Sequence, residues 1–215
     1  MINILYCVLH GSVHPDRYNN VINSWGKDQN LLFYSDTEDP NKNIVKVTDR
    51  TDYHSNEEKN VNVFKRIFLD KKFHNYDFYF FCDNDTFVNT RNLEDFLSNK
   101  DIDTNKLYGI KANSWPADKS LYYCGGGAGY IMSHSLLFNV FHECKNYQTG
   151  YSDVSVGLYA REKGIDVINC KYLHSFPPGS PYNFPYEKIA DQISFHYIKR
   201  LEDMLEIEKL ITNNL

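Results

Sequence analysis

Several features that mark common protein classes are missing from this sequence. No window reaches the roughly 18 consecutive apolar residues that a membrane-spanning helix needs. The N-terminal segment MINILYCVLHGS lacks both the basic region and the long apolar region of a secretory signal. From these absences we expect a cytoplasmic protein with no signal peptide and no transmembrane segment.

Positive charge is also scarce. The chain has 23 Lys and Arg residues against 28 Asp and Glu residues, which gives a formal net charge of −5. Nucleic-acid-binding domains usually have the opposite balance, because they neutralise backbone phosphates. We therefore expect no nucleic-acid partner.

The sequence has no spaced cysteine framework. It contains five cysteines, an odd number, and no C-x-x-C pair of the kind that binds zinc or cycles between thiol and disulfide. Cys7, Cys82 and Cys124 each follow two apolar or aromatic residues. This setting predicts buried, reduced thiols.

The sequence does show the alternation of predicted strands and helices that is typical of an α/β protein. No repeat or Pro/Ser-rich linker divides the 215 residues, so one domain over residues 1–215 is expected. Apolar runs alternate with segments of helical periodicity. Strands are predicted at 2–9, 31–34, 44–47, 78–82, 107–111, 167–168 and 193–197; helices are predicted at 57–74, 92–97 and 133–144, from 152 and from about 202.

Two aspartates, Asp83 and Asp85, follow the most apolar predicted strand, residues 78–82. Ligands bind at the carboxyl ends of strands in open α/β sheets, and paired carboxylates are hard oxygen ligands that suit Mg²⁺ or Mn²⁺. The pattern Asp-x-Asp also occurs in ordinary solvated turns. The position after a buried strand favours a metal site, because two crowded anions require a compensating cation.

Four glycines stand within the five positions from Gly125 to Gly129. Such a segment lets the backbone approach a ligand where a Cβ would clash, although a tight turn between strands would also use glycine. The segment has neither the Gly-Lys-Ser/Thr ending of a P-loop nor the spacing of a dinucleotide fingerprint.

Asp153 is the most informative acid in the last third of the chain. It follows Ser152, which we predict to be the N-cap of a helix, so Asp153 either complements the helix dipole or acts in chemistry. That helix terminus would lower its pKa, whereas a general base works best near the operating pH. His174 and His196, each in a predicted strand, are either packed residues or ligands.

Aromatic residues in predicted loops form another candidate set. They can stack on the face of a sugar or cover the edge of the sheet. They are Trp115, Tyr122, Tyr123, Tyr182 and Phe184.

Taken in order, these segments resemble glycosyltransferase family 31, which includes the Fringe-like and core 1 β1,3-galactosyltransferase enzymes. The matching segments are FYFFCDNDTFVNTRNLEDFL (Phe78–Leu97), GGAGYIMS (Gly126–Ser133), SDVSVG (Ser152–Gly157), LHSF (Leu173–Phe176) and ISFHYI (Ile193–Ile198), with Trp25 and LFYSD (Leu32–Asp36) earlier in the chain. The sequence departs from the family at Asn84, where the family has an acid, and lacks its transmembrane stem and lumenal disulfides. Those two absences suit a bacterial or viral enzyme.

The resemblance implies a GT-A fold, a Rossmann-like nucleotide-diphospho-sugar transferase domain with a mixed central sheet flanked by helices. Residues 1–82 would form mainly the nucleotide-binding half, and residues 83–215 the half that binds metal, sugar and acceptor. It further implies transfer of a hexose or N-acetylhexosamine from a UDP-sugar to a glycan or glycoconjugate acceptor, with inversion.

The resemblance also implies a role for each candidate residue. Mn²⁺, or Mg²⁺ as the alternative, would be held by Asp83, Asp85 and His174. Asp153 would be the catalytic base. The donor would be bound by Asp36, Asp83, Gly126 and Gly127, and Trp115 and Tyr123 would stack on the acceptor sugar.

Two other functions remain compatible with the sequence. A metal-dependent nucleotidyl- or phosphotransferase would also place paired acids beside a nucleotide, although no cluster of basic residues is visible along the chain. A catalytically inactive sugar-binding module would keep the glycines and aromatics but would not need Asp153.

Overall fold

The computed structural model of the protein describes residues 2–180 and 186–213. The strands are β1 Ile4–Leu9, β2 Leu31–Ser35, β3 Ile44–Lys46, β4 Phe78–Asp83, β5 Phe87–Val88, β6 Leu107–Gly109, β7 Lys111–Ala112, β8 Tyr123–Cys124, β9 Tyr130–Ser133, β10 Val167–Asn169, β11 Leu173–His174 and β12 Ser194–Phe195. The α-helices are α1 Asp16–Ile22, α2 Ser55–Leu69, α3 Thr90–Leu97, α4 His134–Asn139, α5 Ser152–Glu162 and α6 Leu201–Asn213. Short 3₁₀ turns include Gly126–Ala128.

The seven-stranded central sheet is mixed. Its strand order is β10-β6-β9-β4-β1-β2-β3. Strands β4, β1, β2 and β3 are parallel, and β9 runs antiparallel between β4 and β6. The register pairs Leu9 of β1 with Asp83 of β4, so both strands end at the same edge.

Strand β4 lies at the centre of the sheet and is buried on both faces, as its unbroken apolar run requires. Phe78, Phe80 and Cys82 point into one core cluster, and Tyr79 and Phe81 point into the other. The first cluster includes residues of α1, α3 and α6, and the second includes residues of α2, α4 and α5. The sheet is therefore covered by helices on both faces.

A small three-stranded sheet of β11, β12 and β5 lies on the first of these faces. Strand β12 pairs antiparallel with β5 and parallel with β11. The backbone N–H of Ile198 also donates to the carbonyl of Asp85 at 2.8 Å. These contacts bring a late segment of the chain to the carboxyl end of β4.

The predicted elements are present with small changes at their ends. The predicted helix 133–144 is α4 followed by a 3₁₀ turn at Phe141–Glu143, and the predicted strand 107–111 is interrupted between β6 and β7. In the described ranges, no helix has the length and apolar character needed to cross a bilayer.

All five cysteines are buried and unpaired. Burial raises the pKa of each thiol, so the neutral form is favoured. They act as small apolar core residues.

Candidate active site

Three side chains with metal-binding atoms meet at the carboxyl end of β4. Asp83 ends that strand, Asp85 follows one residue later, and His196 follows β12. His196 Nε2 lies 3.1 Å from Asp85 Oδ1 and 3.4 Å from Asp83 Oδ2. One ligand atom from each residue lies within 4.8 Å of the others, and residues 2–180 and 186–213 contain no second group of this kind.

The charges of this group compensate one another. Burial opposes ionisation of Asp85, but His196 and Arg17 outweigh it and hold the pKa of that carboxyl below its usual value. Burial also disfavours a charged His196 ring, but Asp83 and Asp85 outweigh it and raise the pKa of His196 to about 9. The two carboxylates thus require a positive charge beside them, which a divalent cation with a neutral imidazole ligand would supply equally well.

Asn84, between the two aspartates, forms its hydrogen bonds with side chains outside this group. Its Nδ2 lies 3.1 Å from His10 Nδ1, and its Oδ1 accepts a hydrogen bond from Arg17 Nη1 at 3.3 Å. The same guanidinium nitrogen lies 3.2 Å from Asp85 Oδ2. An amide at this position therefore leaves the two flanking carboxylates unchanged as ligands.

The 3₁₀ turn Gly126–Ala128 packs directly against His196. Thr86 Oγ1 donates to the carbonyl of Gly127 at 2.7 Å, and the Ser194 hydroxyl donates to the carbonyl of Ala128. A Cβ on Gly127 would lie only 2.1 Å from His196 Cε1 and Nδ1. Glycine is required at 127 because the imidazole occupies the space that a side chain would fill.

Asp153 lies opposite the metal-binding group. It is the second residue of α5, which begins at Ser152, and the residue before the helix is Tyr151 with no side-chain cap. The prediction of Ser152 as the N-cap is therefore wrong by one position. Asp153 Oδ2 accepts a hydrogen bond from the Gly126 N–H at 3.2 Å, and Oδ1 accepts one from Val154 N–H at 2.9 Å.

The expected lowering of the Asp153 pKa by the helix terminus does not occur. Burial is the largest influence and raises the pKa of this carboxyl, while the hydrogen bonds from Gly126 and Val154 act in the other direction. A raised pKa brings a carboxylate closer to the range in which a general base is effective. The position of Asp153 in the first turn of α5 is therefore compatible with the pKa that a general base needs.

The loop before α5 is anchored by Glu57 of α2, which is 1% exposed. Glu57 Oε1 accepts hydrogen bonds from Tyr147 N–H at 2.6 Å and Ser155 Oγ at 2.8 Å. Oε2 accepts from Gly150 N–H at 3.0 Å, and Thr149 Oγ1 lies 3.1 Å away. One buried carboxylate therefore holds both sides of the segment that carries Asp153.

Two adjoining cavities meet at the metal-binding group. The larger, about 370 Å³, opens between the ends of β1 and β4, and its wall includes Arg17, Lys59 and Lys199. The smaller, about 200 Å³, is bounded by Gly126, Gly127 and Asp153. Five residues line both cavities: Asp83, His196, Tyr53, Asn56 and Tyr197. We call them the basic cavity and the glycine cavity.

Asp36, predicted to contact the donor, lies behind the basic cavity and does not line it. It is 6% exposed and is paired with Lys59, whose Nζ lies 3.1 Å from Asp36 Oδ1. Burial opposes its ionisation, but hydrogen bonds from Ser12 and Lys59 prevail and lower the pKa of Asp36 to about 2. Asp36 thus fixes the position of Lys59, which lines the basic cavity, and of the Ser12 backbone beside it.

The structure does not bring His174 to the two aspartates. Strands β11 and β12 pair His174 with Phe195, and the two rings stack with centroids 5.3 Å apart. His174 Nε2 instead lies 2.8 Å from Gln192 Oε1. Because neighbouring residues of a strand point to opposite faces, His196 faces the carboxylates and His174 does not.

The two aromatic residues predicted to stack on an acceptor line neither cavity. Tyr123 is buried in a small core cluster with Leu121 and Val154, and Trp115 packs against that cluster. The Tyr123 hydroxyl bonds Ser114 Oγ at 2.7 Å. Tyr182 and Phe184 lie outside the described residues.

Other site residues carry no local sequence signal. Arg17 and Lys199 meet in the basic cavity although they lie at opposite ends of the chain. The fold thus assembles a basic cluster from residues that are far apart in the sequence. Exposed aromatic residues around the glycine cavity, Tyr53, Tyr151, Phe176 and Tyr197, are likewise brought together from separate loops.

The donor set fits the expected divalent cation. Two carboxylate oxygens and one imidazole nitrogen suit a borderline ion such as Mn²⁺, and the oxygens suit Mg²⁺. The imidazole that lies with the two carboxylates is His196 and not the predicted ligand His174. Because Asp83 lines both cavities, a cation bound here would lie where they join.

Comparisons with known proteins extend this description. A family model described as Fringe-like matches residues 9–211. A solved glycosyltransferase involved in the glycosylation of the major capsid of PBCV-1 has a TM-score of 0.54 at 14% identity, covering 96% of this chain and 99% of that chain. The galactosyltransferase LgtC, solved with donor and acceptor sugar analogues, has a TM-score of 0.50 at 11% identity, covering 97% and 95%. No curated protein sequence matches significantly.

The mixed sheet flanked by helices is therefore a GT-A fold, the fold of a class of glycosyltransferases, and the predicted fold class is confirmed. Within that class, the chain belongs to the Fringe-like family, since the family model spans most of its length. The family resemblance inferred from the motifs is likewise confirmed. Family and fold together support a glycosyltransferase.

Proposed function

We propose that the protein is an inverting, UDP-sugar-dependent glycosyltransferase that transfers a hexose or N-acetylhexosamine to a hydroxyl of a glycan acceptor. The observation that carries this proposal is that Asp83, His196 and Asp153 line one cavity. A metal-binding group and a carboxylate of raised pKa thus face the same small space. This arrangement suits activation of a leaving group on one side and of a nucleophile on the other.

Asp83, Asp85 and His196 would hold Mn²⁺, with Mg²⁺ as the alternative ion. When bound there, the ion would supply positive charge against the diphosphate of the departing UDP. Arg17 and Lys199 add positive charge in the basic cavity, where we place the nucleotide. The proposal includes the predicted halves: residues 1–82 would mainly bind the nucleotide, and residues 83–215 would bind metal, sugar and acceptor. Arg17 belongs to the first half and His196 to the second.

The transferred sugar would occupy the glycine cavity, against Gly126 and Gly127. Asp153 accepts the proton of the acceptor hydroxyl as that oxygen bonds to the anomeric carbon. The bond from this carbon to the UDP oxygen breaks, and its electron pair leaves with UDP. A single displacement of this kind inverts the anomeric centre and turns an α-linked donor into a β linkage.

The test is UDP release from a panel of nucleotide sugars, with Mn²⁺ or with a chelator. We expect release with one or more UDP-sugars, dependent on the cation and lost in Asp85→Ala. Asp203→Ala, an acid on α6 that pairs with Arg200, is the matched control and should retain activity. A protein that binds sugar without releasing UDP would be an inactive binding module, and one that releases phosphate or pyrophosphate would be a phospho- or nucleotidyltransferase.

A further inference from the structure

Asn84, the position at which the sequence departs from its family, belongs to a largely buried chain of hydrogen bonds beside the basic cavity. Asn84 is 6% exposed, and His10, directly after β1, is 4% exposed. Arg17 Nη1 lies 3.3 Å from Asn84 Oδ1, and Asn84 Nδ2 lies 3.1 Å from His10 Nδ1. A guanidinium, an amide and an imidazole are thus linked in series.

The donors and acceptors in this chain are set by Arg17. Because a guanidinium can only donate, the side-chain oxygen of Asn84 faces Arg17 and its NH₂ group faces His10. An amide NH₂ group also only donates, so His10 Nδ1 is the acceptor and carries no proton. His10 is therefore a neutral imidazole whose single proton is on Nε2.

The surroundings of His10 favour the same neutral form. Burial is the largest influence and lowers the pKa of His10. Asp36 raises this pKa, whereas the neighbouring cations, Lys59 first among them, lower it further. An imidazole with a lowered pKa is neutral at pH 7.

The protonated nitrogen of His10 is accessible from the basic cavity, which His10 lines. Within residues 2–180 and 186–213, Nε2 forms no hydrogen bond, and it is not among the side-chain atoms that are buried without a partner. The ring is held edge-on against Tyr18 and Phe33, with centroids 6.4 Å and 6.0 Å apart. A fixed, uncharged donor is thus presented to the space in which we place the nucleotide.

We propose that Asn84 is a positioning residue that holds His10 in the Nε2–H tautomer, and that this N–H donates to an uncharged oxygen of the donor nucleoside, on the uracil ring or on the ribose. The inference rests on the proposed function and adds the residue that recognises the nucleoside part of UDP. An acid at position 84, as in the family, would accept a hydrogen bond from His10 Nδ1–H. The ring would then become cationic or lose the proton on Nε2.

The charges in the basic cavity suit different residues to different parts of the nucleotide. Arg17, Lys59 and Lys199 supply the positive charge that suits a diphosphate. A phosphate oxygen gains more from such charge-assisted hydrogen bonds than from a neutral ring. The neutral N–H of His10 instead matches a carbonyl or hydroxyl oxygen, which the nucleoside offers.

The tautomer is tested by long-range ¹H–¹⁵N correlation NMR on protein labelled with ¹⁵N-histidine, in which His10→Phe identifies the signals of His10. We expect an unprotonated Nδ1 and a protonated Nε2 at pH 7. Asn84→Asp should place a proton on Nδ1. Asn56→Asp, which adds the same charge to the wall of the same cavity, is the matched control and should keep the single proton on Nε2.

Nucleoside recognition is tested by titrating the wild-type protein with UDP, uridine, ribose 5-phosphate and pyrophosphate in the presence of Mg²⁺, which is diamagnetic. We expect UDP and uridine to shift the Nε2–H signal of His10 and pyrophosphate to leave it unchanged. A shift with ribose 5-phosphate assigns the acceptor oxygen to the ribose, and no shift with it assigns the oxygen to uracil. In calorimetry, His10→Phe should weaken UDP binding about twofold to tenfold and leave pyrophosphate binding unchanged.

Three results would overturn the proposal: a proton on His10 Nδ1 in the wild-type protein, an Nε2–H signal that pyrophosphate shifts and uridine does not, or equal UDP affinity of the wild type and His10→Phe. Failure of UDP to bind with either Mn²⁺ or Mg²⁺ would contradict the proposed function, while the tautomer of His10 is measured without any ligand. UDP binding that leaves the His10 signal unchanged would contradict only the role of His10.

Discussion

Replacing Glu57 with glutamine should loosen the segment that carries Asp153. The carboxylate of Glu57 meets four donors, two on each oxygen, and an ionised carboxylate only accepts hydrogen bonds. Glutamine presents one accepting oxygen and one donating NH₂ group. Whichever way the amide is turned, its NH₂ group faces two groups that previously donated.

The loss in the free energy of unfolding depends on which of the four donor groups can reorient. Each oxygen faces one backbone N–H and one hydroxyl: Tyr147 N–H with Ser155 Oγ, and Gly150 N–H with Thr149 Oγ1. A hydroxyl can rotate and accept from the amide, but a backbone N–H cannot. One part-buried N–H is therefore left without its carboxylate acceptor, which costs about 1–3 kcal/mol.

Glu58→Gln is the matched control on the same helix. Glu58 bonds Thr48 Oγ1 at 2.7 Å, and its side chain is 31% exposed. Its replacement should cost about 1 kcal/mol or less. Urea unfolding measures both variants, and UDP binding and transfer are followed in parallel. Glu57→Gln should lose transfer more than UDP binding, because the loosened loop leads into the turn of α5 that carries Asp153, the proposed base. Equal stability of the two variants would refute the reasoning.

Further predictions concern Gly127, Asp153 and the ion pair of Asp36 with Lys59. Gly127→Ala should push the His196 ring away from the carboxylates and weaken Mn²⁺ binding about tenfold or more, measured by calorimetry. Asp153→Asn should lower transfer roughly a hundredfold with UDP binding unchanged, and the wild-type rate should fall as pH drops through the raised pKa of this carboxyl. The ionised Asp36 should stabilise the fold above pH 3.8 and lose that contribution as pH falls towards about 2, because its pKa is lower in the folded state. Lys59→Met should destabilise the protein by roughly 3–5 kcal/mol in urea unfolding, since it leaves the buried Asp36 unpaired.

Each of these has a result that would contradict it. Gly11→Ala is the control for Gly127→Ala, because its Cβ would meet no atom closer than 3.7 Å; equal Mn²⁺ affinity of the two variants would show that the ring need not move. Preserved transfer in Asp153→Asn would place the base elsewhere. A Lys59→Met protein as stable as the wild type would mean that the ion pair is dispensable.

The fold could be predicted from the sequence largely because its central strand is unambiguous. An apolar run as continuous as Phe78–Cys82 fits only a strand with both faces covered, and the acids after it then fall at the ligand-binding edge. The glycine segment was also visible. The sequence could not show why glycine is needed at 127. The reason is the close approach of His196, which comes from a distant part of the chain.

The choice between the two histidines could not be made from the sequence. Both follow short apolar stretches, and the family motif favoured His174. What decides is the register that pairs His174 with Phe195, because a shift of one residue exchanges the faces of a strand. Arg17, Lys199 and Tyr151 were missed for a related reason, since their positions depend on contacts that only the folded chain makes.

The position of β12 in the chain has a consequence for biosynthesis. Every strand of the seven-stranded sheet precedes residue 170, whereas His196 comes after β12. The strands that pair in the central sheet are therefore all synthesised before the third member of the metal-binding group, whereas α6, which packs on one face of that sheet, is synthesised after it. A chain that terminates before residue 196 would contain all strands of the central sheet but an incomplete metal-binding group. The metal-binding group is thus completed only after every strand of the central sheet has been synthesised.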